Sequence, residues 1–266
     1  MSSAQRPEYR HLHVSRRAGI STLTMSRPER KNALGPVLIN ELLWALDDAR
    51  EDPRVRVLIL TGAGKAFCAG ADLHEISGPG EESGLAARGD LAALLLRFPK
   101  LHKPVIAKVR GAALGGGLGL VASCQFAVGA DSALLGTPEI LRGLFPMQIM
   151  AVLQHLMPRR QLLEMTLLGQ TLPAQQAHSL GLLTRVVPEP ELDDAVDALA
   201  HELSERSPTA VAMGLAAFEQ QRDMPIEDAI PYLREQLETL LSTPDALEGL
   251  AAFMQKRAPV WAKKQG

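Results

Sequence analysis

Glycines crowd into two stretches of this 266-residue chain, residues 62–72 and 111–119, and each stretch follows an apolar run, Val55 to Leu60 and Pro104 to Val109. Glycine lacks the Cβ that holds a ligand away from the main chain, so two such loops suggest backbone N–H groups brought close to a bound acceptor. Side chains able to move protons or position water stand nearby in sequence: Asp72 and His74 beside the first loop, Glu139 and Gln148 beyond the second. Glu139 follows Thr137 and Pro138, a placement that the dipole of a helix N-terminus favours in its own right. Other uses of glycine fit less well. A dinucleotide fingerprint needs small residues at i, i+2 and i+5 directly after a strand. Only Gly117, Gly119 and Ala122 approach it, and they lie inside a helical run well past Val109. Neither a G-x-x-x-x-G-K-S/T phosphate loop nor a G-x-S-x-G nucleophile elbow occurs. The two cysteines, Cys68 and Cys124, suit neither a disulfide framework nor a zinc site and read as small buried hydrophobes.

The elements that must position these residues follow from apolar periodicity. Residues 9 to 14 and 19 to 25 alternate as two strands joined at Arg17, Ala18 and Gly19. Apolar residues then recur at helical spacing from Pro36 to Asp52, and Pro53 stops that helix. Val55 to Leu60 reads as a buried strand, 61 to 82 as a long functional loop, Leu85 to Phe98 as a helix and Pro104 to Val109 as a strand. A short helix over 116 to 124 leads into a strand over Gln125 to Val128. Beyond Pro138 the pattern is helical, with a helix expected over 147 to 155 and one strand-like exception at Leu182 to Val187. Residues 191 to 264 are almost wholly helical, with Ile226, Ile230, Leu233, Leu237, Leu240 and Leu241 on one stripe.

Composition sets the outer limits. With 46% hydrophobic and 22% charged residues the chain must fold around a sizeable core. A net charge of −2 leaves no basic surplus for a phosphate backbone, so no nucleic-acid partner is expected. No apolar run is long enough to span a membrane and residues 1–17 are polar, so the expected location is cytoplasmic. The scattered His, Cys, Asp and Glu do not suggest a metal cluster.

AFCAGADL (Ala66 to Leu73), KPVIAKVRGAALGGGLGL (Lys103 to Leu120) and GTPEILRGLFP (Gly136 to Pro146) together resemble the crotonase superfamily of enoyl-CoA hydratases and isomerases. SRPERKNAL near the start and EGLAAFMQKRAPVW near the end are similar to the same family, so the likeness covers nearly the whole chain. The resemblance implies an α/β fold: a crotonase-like spiral of β-β-α units over 1–190, with a C-terminal helical oligomerisation region over 191–266. It also implies homotrimers or homohexamers, and an acyl-CoA thioester as substrate. Coenzyme A would be part of that substrate, and no separate cofactor is expected.

By the same resemblance, the N–H groups of Ala71 and Gly116 form the hole for a thioester enolate oxygen. Gly116 would also open the short helix, whose N-terminal partial charge favours an anion. Glu139 matches the family's catalytic glutamate. Ala69, Asp72, Leu73, His74 and Gly115 would line the pantetheine and thioester, while Arg30, Lys31 and Lys256 would meet the nucleotide phosphates. Asp72 would anchor its turn, and His74 would border the channel. The chain departs from the family pattern at Gly119, where hydratases usually carry a second glutamate. One carboxylate suffices for a 1,3 double-bond shift, whereas hydration is expected to need two positioned groups. Isomerase chemistry is therefore expected ahead of hydratase chemistry with a replaced carboxylate, and a non-catalytic acyl-CoA-binding subunit is the third alternative. Met147, Gln148 and Ile149 stand where relatives often have glycines, and either reshape the acyl pocket or pack the following helix.

Overall fold

The computed structural model describes residues 8–72, 75 and 84–262. Among the described residues, ten strands form two sheets. The larger joins β1 (Leu12–Arg17), β2 (Ile20–Met25), β3 (Val57–Gly62), β5 (Val105–Val109), β7 (Phe126–Ala130) and β10 (Arg185–Val187) in the order β1-β2-β3-β5-β7-β10. Only the β1–β2 hairpin is antiparallel in this sheet. Its turn is set by Ala18 and Gly19, both at positive φ, the geometry that matches the twist of a two-residue hairpin. The smaller sheet runs β4 (Ala66–Cys68), β6 (Ala112–Leu114), β8 (Leu134–Gly136) and β9 (Thr171–Pro173), parallel except for the β8–β9 pair.

Parallel strands covered on both faces should be apolar throughout, and every residue of β3 is buried. Alternation along β3 divides the core. Leu58 and Leu60 join the large cluster that includes Leu38, Leu42 and Leu46 of α1 (Pro36–Glu51). Val57 and Ile59 face the other way, with Ile106 and Val128, onto Leu192, Val196 and Leu199 of a helix over Leu192–Ser204. The remaining helices with described bounds are, in chain order, α2 (Leu91–Leu95), α3 (Gly116–Ser123), α4 (Met150–Leu153), α5 (Arg159–Leu168) and α6 (Ala174–Ser179). The helix over 192–204 is then α7, followed by α8 (Pro208–Gln221), α9 (Ile226–Leu241) and α10 (Pro244–Met254).

Most expected elements are present within a few residues, and the departures have local causes. The helix expected over 85–98 shortens to α2, because Asp90 caps it by accepting the Ala93 N–H at 3.0 Å and Gly89 before it has φ 147°. The long loop expected over 61–82 contains β4, and β8 and β9 were not expected as strands at all. Each of these strands has three residues, too few to show a period of two. The helix expected over 147–155 is only the single turn of α4.

Candidate active site

The smaller sheet and α3 bring the two glycine stretches together. Leu34 forms a parallel bridge to Ala71: its N–H donates to Gly70 O at 2.8 Å and its carbonyl accepts from Asp72 N at 3.0 Å. In a parallel bridge of this kind the N–H of the middle residue points away from the partner strand, so that of Ala71 is directed outward. Ala71 is also exposed. Gly70, at φ 95°, permits a close approach to α3: a Cβ on it would stand 2.9 Å from Leu114 O and 3.6 Å from Gly116 N.

Gly116 opens α3, where the first N–H groups have no intrahelical acceptor. A Cβ built on Gly116 would lie 3.9 Å from Ala71 N, which puts the two residues side by side. Among the described residues, neither N–H donates to another backbone group. Two uncommitted donors beside a helix N-terminus make an electropositive corner suited to an anionic oxygen.

Glu139 arrives at that corner from β8. The pairing of Leu114 with Gly136 and the Gly115 N–H to Gly136 O bond of 2.9 Å run β6 and β8 alongside one another. Thr137 is fully buried and donates its hydroxyl to Met165 O at 3.3 Å, which anchors the chain just before the turn over Pro138–Arg142. Glu139 lies in the first turn of that 3-10 segment, yet its carboxylate sits over Gly115, where a Cβ would come within 2.6 Å of Oε1. Gly115 itself has φ 51°. Glu139 Oε2 is buried without a hydrogen-bond partner. Burial raises the Glu139 pKa above the usual 4.5, opposed more weakly by its own backbone N–H and by Arg142. An acid–base group beside two anion-binding N–H groups is equipped to take a proton from carbon while its neighbours hold the developing charge.

Gly119, one turn into α3, has apolar side chains as its nearest neighbours. A Cβ there would overlap Ile149 Cγ2 and come within 3.1 Å of Ile149 Cβ, with Leu95 Cδ2 at 3.6 Å. Ile149 is 2% exposed, so packing is its visible role, while Met147 and Gln148 are exposed. This Ile149–Gly119 contact was not expected as such.

The other anticipated residues divide. Arg30 and Lys31 lie on an exposed turn without a carboxylate partner among the described residues, and Lys31 O accepts the Ala69 N–H at 2.9 Å. The Lys31 main chain therefore borders Ala69. Asp72 is buried and ion-paired to buried Arg27 at 3.2 Å. Lys256 is exposed just beyond α10, and none of the hydrogen bonds or ion pairs of the described residues ties it to this corner. Leu73 and His74 lie outside the described residues. Cys68 is buried with its thiol pushed up to about 12, and Cys124, half-buried, donates Sγ to Leu120 O at 3.2 Å. Neither is placed for chemistry. No group of three or more His, Cys, Asp or Glu able to hold a metal is present among the described residues. No helix among them is long and apolar enough to cross a membrane. The sequence reading missed Arg27 and Glu75, which join Asp72 in one buried cluster.

Two uncommitted main-chain N–H groups and the half-buried Glu139 carboxyl thus lie around the start of α3. Residues 15–264 match the profile of the enoyl-CoA hydratase/isomerase family. The chain is 34% identical over 244 residues to the enoyl-CoA hydratase domain-containing protein 3, mitochondrial, of Xenopus laevis, covering 91% of this chain and 83% of that one. It is 35% identical over 256 residues to the carnitinyl-CoA dehydratase of Escherichia coli K12, covering 94% and 97%. The crystal structure of an enoyl-CoA hydratase from Mycobacterium smegmatis superposes with a TM-score of 0.87 at 34% identity, covering 95% of this chain and 99% of that one. The chain belongs to the enoyl-CoA hydratase/isomerase family and has the crotonase fold.

Proposed function

We propose that the protein shifts a double bond along an enoyl-CoA thioester, using Glu139 as its single acid–base group. The thioester oxygen accepts hydrogen bonds from the Ala71 and Gly116 N–H groups. Glu139 removes a proton from the α-carbon of a 3-enoyl thioester, and the electron pair delocalises over the former double bond and onto the oxygen. The same carboxyl returns the proton at the γ-carbon, which leaves the 2-enoyl product. A raised carboxyl pKa suits both halves of this cycle, because the group must gain and lose a proton near neutral pH. Ala69 flanks the pantetheine in this reading. Arg30 and Lys31 meet the nucleotide phosphates, with Lys256 reaching them from a neighbouring subunit.

The observation that carries this choice is the packing of Ile149 on Gly119, which leaves an apolar side chain where a water-activating carboxylate would have to stand. The names of the relatives favour a second reading, hydration or dehydration, with the water held by another residue such as Asp72, His74 or Gln148. The ion pair of Asp72 with Arg27 weighs against its taking that part. A non-catalytic acyl-CoA binder is the third reading, and the buried, unpartnered Oε2 of Glu139 weighs against it, since such an atom carries a cost that mere binding does not explain. The test is product analysis with 2-enoyl-CoA and 3-enoyl-CoA side by side. Interconversion much faster than hydration supports the isomerase; rapid hydration with little isomerisation establishes the second reading.

A further inference from the structure

Arg27 is a buried arginine that no step above uses, although it lies directly behind Ala71. Its guanidinium reaches Asp72 Oδ2 at 3.2 Å and Glu75 Oε1 at 2.7 Å, and it donates to Ala33 O at 3.3 Å. It therefore ties together two segments that already run side by side. Lys31 O accepts from Ala69 N, Leu34 N donates to Gly70 O, and Leu34 O accepts from Asp72 N. The Arg27 backbone is held in turn, because its N–H donates to Asn32 Oδ1 at 2.9 Å. Buried Asn32 completes the tie by donating Nδ2 to Ala63 O and Ala66 O, at either end of the tip that leads into β4.

Leu34 completes the geometry, since its Cδ1 lies 3.1 Å from a Cβ built on Gly116. The segment that Arg27 holds is thus wedged between Ala71 and the start of α3. A buried ion cluster is a poor device for stability alone, because apolar groups of equal volume often serve as well. Its distinctive property is direction: a planar fork presents its donors to two carboxylates at fixed angles, which lysine cannot do.

We propose that Arg27 is a positioning residue that, through Asp72 and Glu75, fixes the Ala71 N–H against the Gly116 N–H and so sets the polarisation of the thioester carbonyl. This rests on the oxyanion-hole reading above, though not on the choice between isomerase and hydratase. Misplacing a catalytic group by about 1 Å can cost roughly a hundredfold in rate, and losing one oxyanion donor costs about 100- to 1,000-fold. Arg27→Met is therefore expected to lower kcat on the enoyl-CoA substrate by about 10- to 100-fold, with KM changed less than about threefold.

The deciding measurement is isotope-edited infrared spectroscopy of an acyl-CoA labelled with carbon-13 at the thioester carbonyl, bound to wild type, Arg27→Met, Arg27→Lys and Asp72→Asn. The wild type is expected to shift the carbonyl stretch to lower frequency than in water. Arg27→Met and Asp72→Asn are expected to lose much of that shift while still binding the thioester, and Arg27→Lys to recover part of it. A shift that survives intact in folded Arg27→Met or Asp72→Asn overturns the proposal and leaves the oxyanion hole standing. No shift in the wild type overturns the hole itself, and the role of Arg27 with it. Asp72→Asn, nearly unchanged in volume, carries the test should Arg27→Met fail to fold, as both variants break the same ion pair.

Discussion

Replacing Glu139 by Gln preserves the volume over Gly115 and removes only the proposed base. General acid–base catalysis contributes about 100- to 10,000-fold, which at 1.36 kcal/mol per tenfold is about 3–5 kcal/mol of barrier. Glu139 performs both proton transfers in the proposed cycle, and apolar Ile149 occupies the neighbouring position, so the upper end of that range is expected for kcat. Acyl-CoA binding should change by less than about threefold, or roughly 0.7 kcal/mol. Stability should move the other way. A carboxyl whose pKa is raised by folding contributes stability that is present below its unfolded value and lost as pH rises through the folded one. Wild type therefore forfeits stability with rising pH at this position and Glu139→Gln does not. The variant should unfold at a higher temperature than wild type at pH 8, with the advantage shrinking towards pH 4.5. The assays are double-bond interconversion, calorimetric titration with an acyl-CoA, and thermal unfolding across that pH range. A variant that keeps more than about a tenth of wild-type kcat would refute Glu139 as the base, since the smallest effect of such a group is about a hundredfold. A variant no more stable than wild type at pH 8 would refute the electrostatic account of the site.

Three further outcomes are expected. Gly119→Glu alone should lower the unfolding temperature, at a cost of about 1–3 kcal/mol typical of overpacking, because its Cβ meets Ile149; any gain in hydration of 2-enoyl-CoA should need Ile149→Ala as well, measured as 3-hydroxyacyl-CoA formation. The protein should sediment as a trimer or a pair of trimers, because Ile226, Ile230, Leu237 and Phe253 stand exposed on α9 and α10, Phe253 by 82%, and charged substitutions at Ile230 and Phe253 should release monomers. Cys68, with its pKa near 12, is thiolate in only about one molecule in ten thousand at pH 8, so it should resist a thiol-reactive disulfide in the native protein and react promptly in denaturant.

What the amino-acid sequence discloses about this site, and what it conceals, divides by the range of the forces involved. The glycine-bearing stretches are visible in the sequence, and the structure gives Gly70 and Gly115 within them a local requirement, a positive φ and a neighbour too close for a Cβ. Resemblance to the family then supplied the roles that spacing alone could not give, since nothing in residues 66–73 says which residue beyond the alanine-glycine run meets Gly116. Arg27 gave no such sign. Its partners Asp72 and Glu75 are 45 and 48 positions away, and a lone arginine in a charged turn reads as solvated surface until the fold buries it. The neighbouring Arg30 and Lys31, chemically alike and three or four residues on, are the ones left exposed. Ile149 shows the same limit from the apolar side: an isoleucine before a short helix is ordinary core, and only the packing of that segment across α3 makes it the occupant of the space beside Gly119. In this fold the residues proposed to touch substrate are marked locally by glycine and by a turn. Those that aim them depend on contacts between distant segments, which is why the positioning of Ala71 emerges only with the structure.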